Sequence, residues 1–137
     1  MTDKKESKLT LKELLDNTPR ELPIESLNIV VKVRDPTTED KINARIEAKK
    51  HPLWNDMNDL EKATEISTRL ALKMIVEPEI TYDDYKKCPS PKIDTIIEAV
   101  LLDWNKRVTM FTDKTRKELR SFLEQQREKS QKTSTNT

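Results

Sequence analysis

A chain of 137 residues without a single glycine has no routine way to carry its backbone through φ > 0. Average usage of ~7% would place about ten glycines in this length. Any turn that needs the left-handed region must fall to Asn, Asp or a strained residue. The same absence removes familiar chemistry: a Gly-rich phosphate cradle, a dinucleotide fingerprint and a glycine-flanked nucleophile turn all require it. Segments of regular structure must therefore be started and stopped by other residues.

Composition favours helix. Charged residues make up 37% and the hydrophobic set 34%, with two Phe, two Trp and two Tyr. Such a lean core beneath a charged surface suits helices rich in Lys, Glu, Arg, Leu and Ala. A chain of this length is normally one domain. Its net charge of +1, from 26 basic and 25 acidic side chains, argues against a dedicated nucleic-acid binder, which is usually strongly basic. The lone Cys88 allows no internal disulfide and fits a reducing compartment. Met1–Lys8 is polar and has no signal-peptide core, and no apolar run approaches the ~20 residues that span a membrane. A soluble, cytoplasmic protein is expected.

Proline supplies the stops. Thr18-Pro19, His51-Pro52, Glu77-Pro78 and Cys88-Pro89 each follow a helix-like stretch, and a residue before proline is pushed out of the α region. Pro36 and Pro91 sit at or near helix starts. Capping residues mark further starts: Thr10 with Glu13, Asn58 with Glu61, and Ser90 ahead of Pro91. Thr81 and Thr112 are additional cap candidates. The helix opened at Asn58 is expected to run to about Val76.

Apolar periodicity follows the same divisions. Ile93, Ile96, Ile97, Val100, Leu101, Trp104, Val108 and Phe111 mark one helical face. Leu60, Ala63, Ser67, Leu70, Met74 and Ile75 give a second stripe, and Leu119, Phe122 and Leu123 a shorter third. Thr37–Lys50 is weaker, with only Ile42 and Ile46 in phase; it is expected at the surface, touching the core near Leu53 and Trp54. Residues 1–8 and 131–137 lack apolar anchors and are expected to be disordered. The layout is a single, mainly α domain over 9–130, compact, with about five to six helices and one N-terminal β-strand or small β element.

That β element is the odd feature. From Leu27 to Arg34, Leu27, Ile29, Val31 and Val33 alternate with other residues at period two, a strand signal. No second strand of comparable strength is visible, since Leu22-Pro23-Ile24 is short and interrupted. A lone strand leaves its edges unpaired, so it must pair with a weak partner in the chain, with a second copy or with another protein.

No catalytic or metal-binding pattern emerges. The sole histidine, His51, stands beside lysines and Pro52, without the ligand spacing of a metal site. Glu77, Glu79, Asp83 and Asp84 form an acidic patch, best read as a helix first turn capped by Thr81. Lys106, Arg107, Lys114, Arg116, Lys117 and Arg120 are basic but interrupted by Asp103, Asp113, Glu118 and Glu124, as on a solvated helical face. No cofactor or metal is expected, and an enzyme is the least supported class.

Several segments together resemble the tail assembly chaperones of long-tailed phages and prophages of Gram-positive hosts. They are Asp35-Pro36-Thr37, Pro52-Leu53-Trp54, Glu61-Lys62, Glu65-Ile66 and Leu70-Ala71-Leu72, then Val76-Glu77-Pro78, Ile80-Thr81 and Asp84-Tyr85. An isoleucine-rich helix follows, and then Arg116-Lys117, Leu119 and Phe122-Leu123-Glu124. Their order over about 22–128 carries the similarity. The resemblance implies a small, non-enzymatic helical factor that binds the tape measure protein and tail tube subunits during assembly and is absent from the mature virion. Partner-binding candidates are Ile29, Val31, Val33, Trp54, Leu70, Met74 and Trp104. If the strand adds to a tube protein's sheet, replacing Val31 with proline should abolish that binding and spare helical content. A helical nucleic-acid-binding regulator, with Thr112–Lys129 as its recognition helix, and a structural head–tail connector stay open, as does self-association. No membrane partner is expected.

Overall fold

The computed structural model describes residues 10–135, with side chains through residue 131. The chain is mainly α with a small antiparallel sheet, and the described residues hold five α-helices and three strands. It divides into two units, one through Leu101 and one from Leu102, and each is described by itself. The disorder expected over 1–8 lies outside the described residues. Of the 131–137 tail, residues through Thr135 are helical, and the last two lie outside.

The first unit opens on a short helix, α1 (Leu11–Leu15), whose N-cap Thr10 accepts a hydrogen bond from the Glu13 amide at 3.1 Å. All five of its residues are exposed. Strand β1 (Arg20–Ile24) follows and pairs antiparallel with β2 (Ile29–Val33), matching Leu22 with Val31 and Ile24 with Ile29. A 3-10 turn, Glu25–Leu27, and Asn28 connect them. Asn28 lies at φ 54°, ψ 45°, and is the one positive-φ residue among those described. Asn takes the left-handed position most easily after glycine, so the substitute expected in a glycine-free chain is the one used.

The strand is therefore not alone, and it is shorter than the expected 27–34. The segment dismissed as proline-interrupted is its partner, because β1 is an edge strand and Pro23 needs no amide on its outer side. A second partner, β3 (Ile75–Glu77), pairs antiparallel on the other side, Lys32 with Glu77 and Val33 with Ile75, across a register irregularity between Lys32 and Val33. The sheet order is β1-β2-β3. The amide of Arg34 donates to the Met74 carbonyl at 2.9 Å. The Asn17 side chain clasps the backbone of Asp35 twice, donating to its carbonyl at 2.8 Å and accepting from its amide at 2.9 Å. Arg20 pairs with the Asp35 carboxylate at 2.9 Å.

Helix α2 (Thr38–Lys49) starts at a full capping box in which the Thr37 hydroxyl and the Asp40 carboxylate each accept from the other's amide. Arg34 reaches the same carboxylate with two nitrogens, at 2.6 and 3.1 Å. That fork holds the Asp40 pKa down to about 2 and raises that of Arg34. The end of the sheet is thereby bonded to the start of the helix. Helix α2 is less peripheral than expected. Ala44 and Ala48, four apart, are wholly buried, and their small side chains allow close approach to α3 (Asp59–Met74). Leu53, expected as the contact, is exposed.

Helix α3 opens at the expected Asn58–Glu61 capping box. It stops at Met74, because the residues from Ile75 join the sheet and do not continue the helix to Val76. Its buried residues are Thr68, Ala71, Leu72 and Met74, whereas Leu60 and Ala63 of the expected stripe are exposed. Helix α4 (Tyr82–Lys87) is capped by Thr81 and Asp84 as expected. Helix α5 (Ser90–Thr135) then begins, and within the first unit it buries Ile93, Ile97 and Val100. Thr112 is no cap, since the helix passes through it without a break.

The described residues of the second unit, from Leu102, are the remainder of α5. Leu102, Val108, Met110, Phe111, Leu119, Phe122 and Leu123 are all exposed. No described helix is long and apolar enough to cross a membrane.

Candidate functional site

The most connected polar cluster of the first unit joins α3 to α4. Glu65 and Arg69, one helical turn apart, form an ion pair at 2.9 Å. The Tyr82 hydroxyl donates to the same Glu65 oxygen at 2.7 Å, and the Arg69 guanidinium lies 3.7 Å from the Tyr82 ring centroid. Burial, reinforced by Glu65, pushes the Tyr82 pKa up to about 12. A phenol held protonated in this way is a hydrogen-bond donor and no base. The cluster is a clasp between helices. Sequence reading missed it, although the Glu65–Arg69 spacing was a visible signal, because Tyr82 is 17 positions from Glu65.

A shallow cleft beside the clasp is lined by Lys50, His51, Leu53, Arg69, Tyr82 and Lys86, together with Glu47 and Pro52. Glu47 is paired with Lys73 at 2.6 Å. The His51 Nδ1 accepts from the Leu53 amide at 3.0 Å, so its ring shapes the turn at the end of α2. Among the described residues, no three His, Cys, Asp or Glu side chains gather where a metal could sit. The acidic patch is dispersed: Asp84 caps α4, Asp83 lies near Lys86 at 3.4 Å and Glu77 near Lys32 at 3.3 Å. Cys88 is half-buried and outside any disulfide, its amide bonded back into α4.

The residues nominated for partner binding divide sharply. Val31 and Val33 are each 1% exposed and Met74 is fully enclosed; their surface belongs to this chain's own core. β2 lies between β1 and β3: one of its edges is paired with β1 throughout, and the other is paired with β3 at Lys32 and Val33. Proline at Val31 would break the central ladder, so that substitution tests folding and not docking. Ile29 is partly exposed at the start of β2. Trp54 is half-buried beneath the Lys62 ammonium, 5.2 Å from its ring centroid. Leu70 in the first unit and Trp104 in the second are also half-buried.

The row on α5 is periodic in the sequence, and the structure leaves it exposed. Phe111 is 68% exposed and Phe122 55%, with Leu119 and Leu123 similar. Contiguous large apolar residues left in water mark an interaction surface. What the geometry defines is a class: a mainly helical protein with a small antiparallel sheet and a long helix whose later turns are apolar and uncovered. No protein-family model matches this chain, and no curated protein or solved structure matches it either.

Proposed function

We propose that this protein is a phage tail assembly chaperone, a non-enzymatic factor that binds the tape measure protein, and tail tube subunits, in the host cytoplasm. The observation that carries this reading is the row Val108, Phe111, Leu119, Phe122 and Leu123, exposed on a helix in a chain that is 37% charged. The ordered motifs between 22 and 128 support it. A tape measure protein is a long helical chain with apolar stripes, and an amphipathic helix can cover such a stripe through contacts at three- and four-residue spacing. A charged outer surface keeps the complex in solution. With Val31, Val33 and Met74 buried, this reading takes the exposed row on α5 as its client surface.

The test is co-expression with the tape measure and tube proteins, followed by co-purification and by analysis of mature particles. Recovery with the tape measure protein and absence from particles is the expected result. Presence in particles at stoichiometric amounts would instead identify a structural connector, and the chaperone reading would fall.

A further inference from the structure

The segment from Leu102 to the end carries nine basic and five acidic side chains, against 17 basic and 20 acidic before it. The balanced total charge conceals a basic helix. At 3.6 residues per turn, Val108, Phe111, Leu119, Phe122 and Leu123 fall within about 120° of the helix circumference. Thr112, Thr115 and Gln126 fall within the same seam. Arg116, Arg120 and Arg127 line one of its edges, within about 40° of one another. All three are exposed, and none has an ion-pair partner among the described residues. The opposite edge is mixed: Lys114, Glu118 and Gln125.

This edge chemistry discriminates between occupants. A second copy laid antiparallel sets the arginine edge against itself, like charge on like charge. Laid parallel, it offers three arginines one carboxylate, Glu118. A lipid surface calls for a broad apolar face with a cationic polar side, whereas Thr115 and Gln126 interrupt this seam and Asp113, Glu124 and Glu128 occupy the far side. A nucleic-acid duplex presents a phosphate backbone, which leaves the apolar middle of this seam without a partner. A helix with an apolar stripe and carboxylates along one edge satisfies both features, because flanking charges select the partner of a helical seam.

We propose that the Phe111–Phe122 face of α5 is a docking seam for a helix of another protein whose apolar stripe is bordered on one edge by Asp or Glu at three- to four-residue spacing. The assignment deepens the chaperone reading and rests on it only for the identity of the client.

The test uses the full chain and two synthetic helical peptides with the same leucine stripe, one with a glutamate edge and one with a lysine edge. Titration should show the glutamate-edge peptide binding at least tenfold more tightly. The triple variant Arg116→Glu, Arg120→Glu, Arg127→Glu should reverse that preference. A second variant, Phe111→Ser with Phe122→Ser, should weaken binding of the glutamate-edge peptide at least tenfold with circular dichroism unchanged, and it decides the matter if the triple variant loses helix. Equal affinity for the two peptides would overturn the proposal. So would binding to phosphatidylglycerol vesicles or duplex DNA without binding to peptide, or sedimentation as a dimer that excludes the peptide. The peptides carry no tail-protein sequence, so the seam can fail here while co-purification succeeds, and the reverse.

Discussion

The stretch Ile93–Val100 and the stretch Val108–Leu123 lie on one helix and obey one periodicity, yet their side chains have opposite fates. Ile93, Ile97 and Val100 are buried, whereas Phe111, Leu119 and Phe122 stand in water. Period 3.6 identifies an apolar face but is silent on what covers it. Coverage is decided by the rest of the chain, and in the first unit Ala44, Ala48, Ala71, Met74 and the valines of β2 supply a core. The described residues of the second unit form a single helix.

Substitutions should separate the two regions by size of effect. Met74→Ala, which opens a cavity at a fully enclosed site, is expected to cost about 2–5 kcal/mol in urea unfolding. Ala48→Leu forces extra volume into the α2–α3 contact and should cost about 1–3 kcal/mol by the same measurement. Asp40→Asn, which removes the charge paired with Arg34, should cost about 1–2 kcal/mol at neutral pH. Because the folded Asp40 pKa is depressed to about 2, its contribution is complete above the unfolded value of about 4 and is lost as pH falls toward 2. Acid titration of Asp40→Asn should therefore lack that part of the decline. Phe122→Ala should change stability by no more than about 0.5 kcal/mol. A large loss there would mean that the seam is covered within the chain, and the contrast between the regions would collapse.

Local chemistry was the most legible part of the chain. The caps at Asn58 and Thr81, the proline stops after α1, α2 and α4 and the use of Asn at φ > 0 each follow from interactions spanning a few residues. Glu77-Pro78, expected to end a helix, instead closes β3. The sheet was half legible. Val31 and Val33 announce β2, but β3 is three residues whose pairing depends on α3 ending at Met74, a long-range event. The Arg34–Asp40 fork and the Asn17 clasp on Asp35 hold β1 and β2 in place, and neither leaves a periodic trace. The burial of Val31 and Val33 was hidden for the same reason: alternation of β-branched residues signals a buried strand as strongly as a docking strand. Ala44 and Ala48 were overlooked because close helix approach uses small side chains, which a search for large apolar residues passes over.

The prolines at the margins of the sheet have a further consequence. Pro23 removes an amide from β1, and Pro78 directly follows the three-residue β3. A strand from another molecule would find one outer edge short of a donor and the other too brief to template a ladder. The edges of the sheet are thus poor templates for growth into fibrillar aggregates.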